Sequence, residues 1–274
     1  MDTGNTAEPI STWETQAQDL ARQSKWRAAA RTLLRAARAE PDKTERWLQI
    51  AQWQRRDRDS KGAARTLRTA LRLHSSQEKQ KSVPALSTLA DQSASATLWQ
   101  ALAETQLEAQ SWQECVNACR ELLALQPRNH FALEMLATAL LYDGQPKDAA
   151  LVMRQLLALS PRDPLHRLKL ATLLHLQGSL GESLVEFQRV VTAYPDAPFT
   201  QEAQEAIEAL DRIQIQHILA RYSEQADFSH SLQGELDNAL LEEGYHLSDS
   251  GLESLRHLLA DGRPTDQRIA PRIH

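Results

Sequence analysis

Residues 130–163, HFALEMLATALLYDGQPKDAALVMRQLLALSPRD, carry the pattern of two short helices joined by a turn. Apolar residues recur at helical spacing over 131–142, which predicts the first helix. Gly144 predicts where that helix ends, because glycine readily takes the left-handed conformation that terminates a helix. Pro146 fits the start of a second helix, where its missing N–H costs nothing, and Pro161 marks the end of that helix. The stretch therefore predicts a helical hairpin.

The hairpin pattern occurs five times, and most copies are spaced 34 residues apart. The copies begin at Ile10, Thr44, Ala96, His130 and Pro164. Each copy has small residues at two fixed positions, which are Ala17 and Ala29, Ala51 and Ala63, Ala103 and Cys115, Ala137 and Ala149, and Ala171 and Ser183. A side chain must be small where two helices cross closely, so the spacing predicts stacked helical hairpins.

Three copies carry a tryptophan at their fourth position. The second copy has Trp47, Ile50, Ala51, Ala63, Leu67 and Ala70, and the third has Trp99, Leu102, Ala103, Cys115, Cys119 and Pro127. In these residues the chain resembles the tetratricopeptide repeat family. Trp26 and Trp112 share a further position, where the family often has an aromatic residue. Ser75 replaces the closing proline of the second copy, and Arg167 replaces the aromatic residue of the fifth. The resemblance covers residues 10–197 and implies an all-α fold, a right-handed α-solenoid of hairpins.

The predicted organisation follows from the repeat and from the segments that flank it. An apolar stripe after Phe199 predicts a helix that caps the last hairpin, because a terminal repeat needs a covering element. Two shorter helices follow, 228–243 and 250–260, and Ser250 with Glu253 predicts a capping box on the second. The segments are a flexible N-terminus (1–9), basic repeats one and two (10–77), a solvated insert or linker (78–95), repeats three to five (96–197), a capping helix (198–226), a small helical module (227–262) and a flexible tail (263–274).

Charge is distributed unevenly along the chain. Residues 1–76 carry 15 Lys/Arg against 9 Asp/Glu, and the remaining residues carry 16 against 27. The arginine-rich first part could meet an acidic protein or a nucleic acid, or could be the solvated face of two helix pairs. No stretch approaches the roughly 18 apolar residues of a membrane span, and residues 1–11 lack the apolar core of a signal peptide. We therefore expect a cytoplasmic protein.

The residues that could carry chemistry form no catalytic or cofactor motif. The nine histidines are scattered along the chain. Phosphate-binding, dinucleotide-binding, zinc-protease and nucleophile-elbow motifs are absent from the sequence. Cys115 and Cys119 lie four residues apart at inward positions of one predicted helix, which favours small core residues over a metal site. We expect no enzyme activity, no cofactor and no metal.

The family resemblance places the candidate binding site on the first helix of each hairpin. In this family that helix lines a concave groove, and its positions two, five, nine, twelve and thirteen face the groove. Carried onto this chain, the partner-binding residues are Gln18, Arg22, Gln52, Arg55, Arg56, Gln100, Glu104, Glu108, Phe131, Glu134, Thr138, Tyr142, Leu165, Leu168, Thr172 and His175. Clustered apolar groups indicate a contact surface, or could be buried under the C-terminal helices. These groups are Leu141, Tyr142, Leu165, Leu168 and Leu176.

The sequence therefore predicts a non-enzymatic adaptor or assembly factor that binds a protein or peptide segment in the groove. Groove glutamates would select basic residues of the segment, and groove arginines would select acidic ones. Few aromatic residues interleave the arginines, so nucleic acid is the less favoured partner. Two alternatives stay open, a nucleic-acid-associated protein that uses the arginine-rich repeats and a self-assembling structural protein that stacks head to tail. The identity of the partner and the oligomeric state stay open too.

Overall fold

The computed structural model describes residues 9–80, 89–232 and 236–260, apart from the side chains of 77–80, 89–91 and 226. All the regular elements in these ranges are helices, so the predicted all-α fold class is confirmed. The helices are α1 (Ile10–Arg22), α2 (Trp26–Ala39), α3 (Thr44–Arg56), α4 (Ser60–Gln80), α5 (Leu89–Glu108), α6 (Trp112–Leu125), α7 (His130–Tyr142), α8 (Pro146–Leu159), α9 (Pro164–Leu176), α10 (Leu180–Ala193), α11 (Thr200–Glu224), α12 (Ala226–Ser231), α13 (Leu236–Glu242) and α14 (Asp249–Ala260). The flexible tail predicted at 263–274 lies outside the described residues, and so does the flexible N-terminus predicted at 1–9 except for Pro9.

The chain divides into two compact units, Met1–Val152 and Met153–His274. Their boundary falls inside α8, the second helix of the fourth copy. Helices α1 to α7 belong to the first unit, and helices α9 to α14 belong to the second. The sequence pattern instead suggested the main interruption at the insert.

In the first unit, consecutive helices from α1 to α7 pack against one another in chain order. Helix α5 also contacts α3 and α7, so the first helices of successive hairpins are neighbours. Small side chains at the predicted positions allow this close approach, since Ala17, Ala29, Ala51 and Ala63 are all buried. Interiors pack at crystal-like density, so a larger side chain at any of these positions would separate the helices.

Trp47 shows why a tryptophan suits the start of a hairpin. Its side chain is 1% exposed, and its Nε1 donates a hydrogen bond to the carbonyl oxygen of Pro41 at 3.0 Å. The indole thus combines a large buried apolar surface with a satisfied N–H, and it joins the second hairpin to the end of the first.

Arg167 replaces the tryptophan in the fifth copy and makes the equivalent bond. Its guanidinium donates to the carbonyl oxygen of Pro161 at 3.2 Å, which holds the same repeat position as Pro41. The guanidinium also donates to a carboxylate oxygen of Glu186 at 2.6 Å, and Glu186 is buried. The departure at Arg167 therefore preserves the joint between hairpins and adds an ion pair.

Two copies replace the second small alanine by Cys115 and Ser183, and both substitutes gain a hydrogen bond. The Cys115 thiol donates to the carbonyl oxygen of Ala103 at 3.4 Å, and the Ser183 hydroxyl donates to that of Ala171 at 2.9 Å. Cys119 is also buried, and its interaction with Cys115 together with burial raises the pKa of the Cys119 thiol. These cysteines are core residues, as the sequence indicated.

The turn inside each hairpin uses one left-handed residue at the same repeat position. Gly144 and Gly178 take φ values of 77° and 86° there, which confirms the predicted helix stop at Gly144. The first three copies place Ser24, Arg58 and Gln110 at this position, with φ between 55° and 61°. Each of these three residues carries a left-handed cost of roughly 1–2 kcal/mol that glycine avoids.

The insert at 78–95, which the sequence suggested to be a solvated linker, is helical at 78–80 and 89–95. Helix α4 continues to Gln80 and α5 begins at Leu89, before the third copy itself starts. Helices α4 and α5 pack against each other. Residues 81–88 lie outside the described part of the chain.

The core of the second unit joins the fifth hairpin to α11. Leu168 and Ala171 of α9, Phe187 of α10, and Ala203 and Ile207 of α11 belong to one buried cluster. Helix α11 thus covers the open face of the last hairpin, as predicted for a capping helix.

The remaining helices form a second cluster on the C-terminal half of α11. Ile218 of α11, Phe228, Leu240, Tyr245 and Leu255 lie at its centre. The predicted helix 228–243 is two helices, α12 and α13, and residues 233–235 between them lie outside the described residues.

The capping box predicted from Ser250 and Glu253 is wrong, because α14 begins at Asp249, one residue earlier than predicted. Ser248 caps it, and its hydroxyl oxygen accepts a hydrogen bond from the Gly251 N–H at 3.1 Å. Ser248 is fixed in turn by buried Asp211 of α11, whose carboxylate accepts from the Ser248 N–H at 2.8 Å and also from its hydroxyl. This long-range contact sets the start of α14.

Candidate functional site

The first helices of the hairpins in the first unit, α1, α3, α5 and α7, carry solvent-accessible side chains at repeat positions two, five, nine, twelve and thirteen. We call the following side chains the inner-face residues: Gln18, Arg22, Gln52, Arg55, Arg56, Gln100, Glu104, Glu108, Phe131, Glu134, Thr138 and Tyr142. Each of them is exposed or half-buried, whereas Ala17, Ala51 and Ala103 on the same helices are buried. Their accessibility fits the sequence analysis, and their role in binding stays a prediction.

A cluster of charges joins α3 to α5 across the insert. Arg55 donates to both carboxylate oxygens of Glu108, with one bond of 2.8 Å, and to Glu104 at 3.1 Å. Hydrogen bonding to Glu108, reinforced by Glu104, raises the pKa of Arg55. Gln100 donates to the second oxygen of Glu104 at 3.4 Å. Arg55 is therefore engaged within the chain, which corrects the expectation that its charge and those of the glutamates select the partner separately.

An aromatic pair stands where α7 ends. The rings of Trp112 and Tyr142 stack with centroids 4.8 Å apart and an interplanar angle of 19°. Tyr142 is nonetheless 63% exposed, so one ring face is held against Trp112 while much of the side chain meets solvent. The equivalent positions of the first and second copies carry Trp26 and Arg56, with the guanidinium 5.1 Å from the ring centroid. The last residue of α3 or α7 thus packs on the first residue of the preceding hairpin's second helix.

The remaining inner-face residues include two amide side chains and one hydroxyl that lie at equivalent repeat positions. Gln18 and Gln52 occupy equivalent positions of successive hairpins, and both are exposed. Neither forms a hydrogen bond to another described side chain or to the backbone. Thr138 holds the same position in the fourth copy, where its hydroxyl donates to the carbonyl oxygen of Glu134 at 2.9 Å. Gln18 and Gln52 can therefore offer both donors and acceptors to a ligand.

In the second unit, the candidate residues on α9 separate into exposed and buried groups. Leu165, Thr172 and His175 are exposed, and Leu176 beside them is 54% exposed. Leu168 is only 4% exposed and belongs to the core shared with α10 and α11. The assignment of Leu168 as a binding residue is therefore wrong, because the capping helix occupies the space that a partner would need.

Sequence reasoning missed Trp112 as part of the site, although its shared position with Trp26 was visible. The stack could not be deduced, since it needs the end of α7 to lie beside the start of α6. Within the described residues, no group of three or more His, Cys, Asp or Glu side chains could hold a metal ion. None of the described helices is both long and apolar enough to cross a lipid bilayer.

Comparisons with known proteins agree on the fold. Residues 134–198 match the family model described as "Tetratricopeptide repeat". No curated protein sequence matches the chain. The structure is similar to the MamA RS-1 ArsTM double mutant, at 16% identity and TM-score 0.50, over 68% of this chain and 94% of that one. A second MamA structure has 13% identity and TM-score 0.51, over 66% and 90% of the two chains.

A third similar structure is YrrB, described as a TPR protein with an unusual peptide-binding site. It has 11% identity and TM-score 0.51, over 72% of this chain and 93% of that one. At these identities the likeness concerns the fold alone. Residues 134–198 therefore match the tetratricopeptide repeat family, and the packing of consecutive hairpins gives the chain the fold of these similar structures.

Proposed function

We propose that this protein is a non-enzymatic adaptor or assembly factor whose first unit binds a segment of a partner protein along the inner-face residues. The observation that carries the proposal is the exposed aromatic stack of Trp112 and Tyr142. Aromatic side chains that are already ordered contribute strongly to binding, because little conformational entropy is lost when they are covered. A partner's apolar or aromatic side chain would pack on the open surface of Tyr142.

Exposed amides support the binding of a peptide backbone next to this anchor. Gln18 and Gln52 repeat at equivalent positions, and each can pair with a backbone N–H and a backbone C=O. Because these amides are already hydrated, each such bond would contribute about 0.5–1.5 kcal/mol net. They would hold the segment in register, while the aromatic contact would supply more of the affinity.

The charge cluster gives the segment a preferred composition. Arg55 pairs with both Glu104 and Glu108, so this group of three keeps one excess negative charge. A Lys or Arg of the partner would complete it, whereas an acidic residue would be repelled. Such charges set specificity and association rate more than affinity. We therefore expect a segment with an apolar or aromatic anchor and at least one basic residue.

Peptide binding has support from the fold as well. YrrB, which is described as having a peptide-binding site, uses a similar arrangement of helices. Peptides selected from a random phage-displayed library on the immobilised full chain would provide a probe, and fluorescence polarisation would give their dissociation constants. Tyr142→Ala should weaken binding about 10- to 30-fold, which is the loss of a typical aromatic hot spot. Gln52→Ala should weaken it about 2- to 10-fold.

Leu151→Ala is the matched control for these variants. Leu151 is also a large exposed side chain of the first unit, at 54%, but it lies on α8 outside the inner-face residues. Circular dichroism should show that all three variants keep the helical content of the parent. Selected peptides that bind Tyr142→Ala and Gln52→Ala as tightly as the parent, or that lose affinity only with Leu151→Ala, would refute the proposal.

A further inference from the structure

Helix α2 carries a stripe of arginines on its solvent face. Arg27, Arg31, Arg35 and Arg38 recur every three or four residues, and all four are exposed. The opposite face is buried and consists of alanines and Leu33. At 1.5 Å per residue, the stripe extends about 16 Å along the helix. No Asp or Glu occurs anywhere in α2, so nothing on this helix offsets the charge.

Helix α4, the second helix of the next hairpin, repeats the arrangement. Lys61, Arg65, Arg68 and Arg72 occupy one face with the same spacing and are exposed. No acidic residue occurs in its sequence from Ser60 to Ser76. Both stripes lie on the second helices of consecutive hairpins, and both of these helices pack against α3. Together the two helices carry eight exposed cations.

Most of this charge is not neutralised within the chain. Arg27 forms an ion pair with Asp57. The other seven cations form no ion pair with any described residue. Exposed arginines without carboxylate partners repel one another weakly, so the folded chain gains nothing from placing them together. A polyanion would relieve that repulsion.

The surroundings of the stripes decide between kinds of polyanion. Protein interfaces have an apolar or aromatic centre from which charged residues are depleted. Among described residues 9–76, no large hydrophobic side chain is strongly exposed. An acidic protein could therefore form ion pairs here but would have no apolar side chain to bury. Each exposed ion pair between an arginine and a partner's carboxylate would contribute only about 0–1 kcal/mol to binding. The same lack of apolar side chains leaves nothing to enter a lipid layer.

Nucleic acid does not need an apolar anchor. Its phosphates hold condensed counterions, and each phosphate that an arginine neutralises releases counterions to solution. Arginine also matches phosphate geometry with paired N–H donors, and seven of the eight cations are arginines. We propose that the arginine stripes of α2 and α4 form a sequence-independent binding surface for the phosphodiester backbone of a nucleic acid. This surface is separate from the inner-face residues that would bind a peptide.

The test uses the full chain and two fluorescein-labelled probes, a mixed-sequence duplex DNA and a single-stranded RNA, titrated by anisotropy at several salt concentrations. The stripe variant combines Arg31→Gln, Arg35→Gln, Arg65→Gln and Arg68→Gln. Glutamine keeps a helix propensity close to that of arginine. The control variant combines Arg120→Gln, Arg128→Gln, Arg162→Gln and Arg212→Gln, which are also exposed. Both variants change the net charge equally.

With about six phosphate contacts, the parent should show a slope of about −5 for log K against log salt on duplex DNA. The stripe variant should be at least about 10-fold weaker at low salt, with a slope less steep by about 3. The control variant and Tyr142→Ala should keep the parent slope. If the stripe variant melts early, its two pairs on α2 and α4 can be tested separately, and each should remove about half of the slope change.

Three results would overturn the proposal. The first is that neither probe binds at low salt. The second is that the control variant loses as much affinity as the stripe variant, which would mean that only net charge matters. The third is that polyglutamate or phosphatidylserine vesicles bind more tightly than both nucleic acids and lose binding in the stripe variant. The third result would assign the surface to an acidic protein or a membrane.

Discussion

Replacing Gly251 by alanine tests how the C-terminal helices are held against α11. A Cβ at this position would lie 2.5 Å from Cγ of Asp211 and 2.7 Å from each of its carboxylate oxygens. Asp211 is 5% exposed and is bonded to the N–H and hydroxyl of Ser248. The carboxylate therefore has no free space into which it could move without breaking these bonds.

The size of the effect follows from opposing contributions. Loss of one hydrogen bond to a buried charged acceptor costs about 1.5–3 kcal/mol, and overpacking adds about 1–3 kcal/mol. Alanine in place of glycine within a helix would otherwise stabilise by about 0.5–1 kcal/mol. We expect Gly251→Ala to destabilise the packing of α14 by about 2–4 kcal/mol. Its sign is opposite to that of an ordinary helical Gly→Ala change.

Hydrogen exchange followed by mass spectrometry is the suitable measurement, because all six tryptophans lie in the first unit and fluorescence would not report on α14. The opening free energy of α14 should fall by the same amount. In an Asp211→Ala background the clash disappears, so adding Gly251→Ala should be neutral or stabilising. Equal or greater protection of α14 in the single variant, or additive losses in the double variant, would refute this reasoning.

Four further outcomes can be checked. Leu168→Ala should lower the free energy of unfolding of the second unit by about 2–5 kcal/mol, as for a core leucine, and should leave peptide affinity unchanged; a loss of affinity without a loss of stability would return Leu168 to the binding site. Gln110→Gly should raise stability by about 0.5–1 kcal/mol, since it removes left-handed strain but adds unfolded-state entropy; urea unfolding that shows a decrease would contradict this. Arg167→Ala should cost about 1.5–3 kcal/mol, because Glu186 loses a charged partner, whereas Arg167→Lys should recover part of it in thermal melts. The raised pKa of Cys119 means that the folded chain keeps a proton that the unfolded chain releases above pH about 8.5; unfolding free energy should therefore fall as pH rises above that value, and Cys119→Ala should make the fall shallower.

The hairpins could be predicted because the features that specify them are local and periodic. A helix must bury one stripe, and two crossing helices need small residues at the crossing point. Both requirements repeat every 34 residues, except across the insert between the second and third copies. The stop at Gly144 and the start at Pro146 depend only on their own backbone preferences.

The features that could not be predicted depend on contacts between distant residues. Ser250 with Glu253 satisfied the local capping pattern, yet Ser248 is the cap because Asp211, 37 residues earlier, binds it. Arg55 and Glu108 lie 53 residues apart with the insert between them. Leu168 belonged to an apolar set that could be either exposed or covered, and only the packing of α11 decided between these. Helix α11 is not a copy of the repeat, so the residues that it buries do not recur at a fixed spacing that could be recognised in the sequence.

The bond from Arg167 to Pro161 has a consequence for how such arrays can diverge. What the position requires is a long side chain with an N–H near its tip, and indole is only one group that provides this. A copy can therefore lose its signature tryptophan and still keep the hydrogen bond that connects it to the previous copy. Methods that count aromatic landmarks will underestimate the number of copies in chains of this kind, and engineers of artificial arrays have a charged alternative at a site usually reserved for a ring.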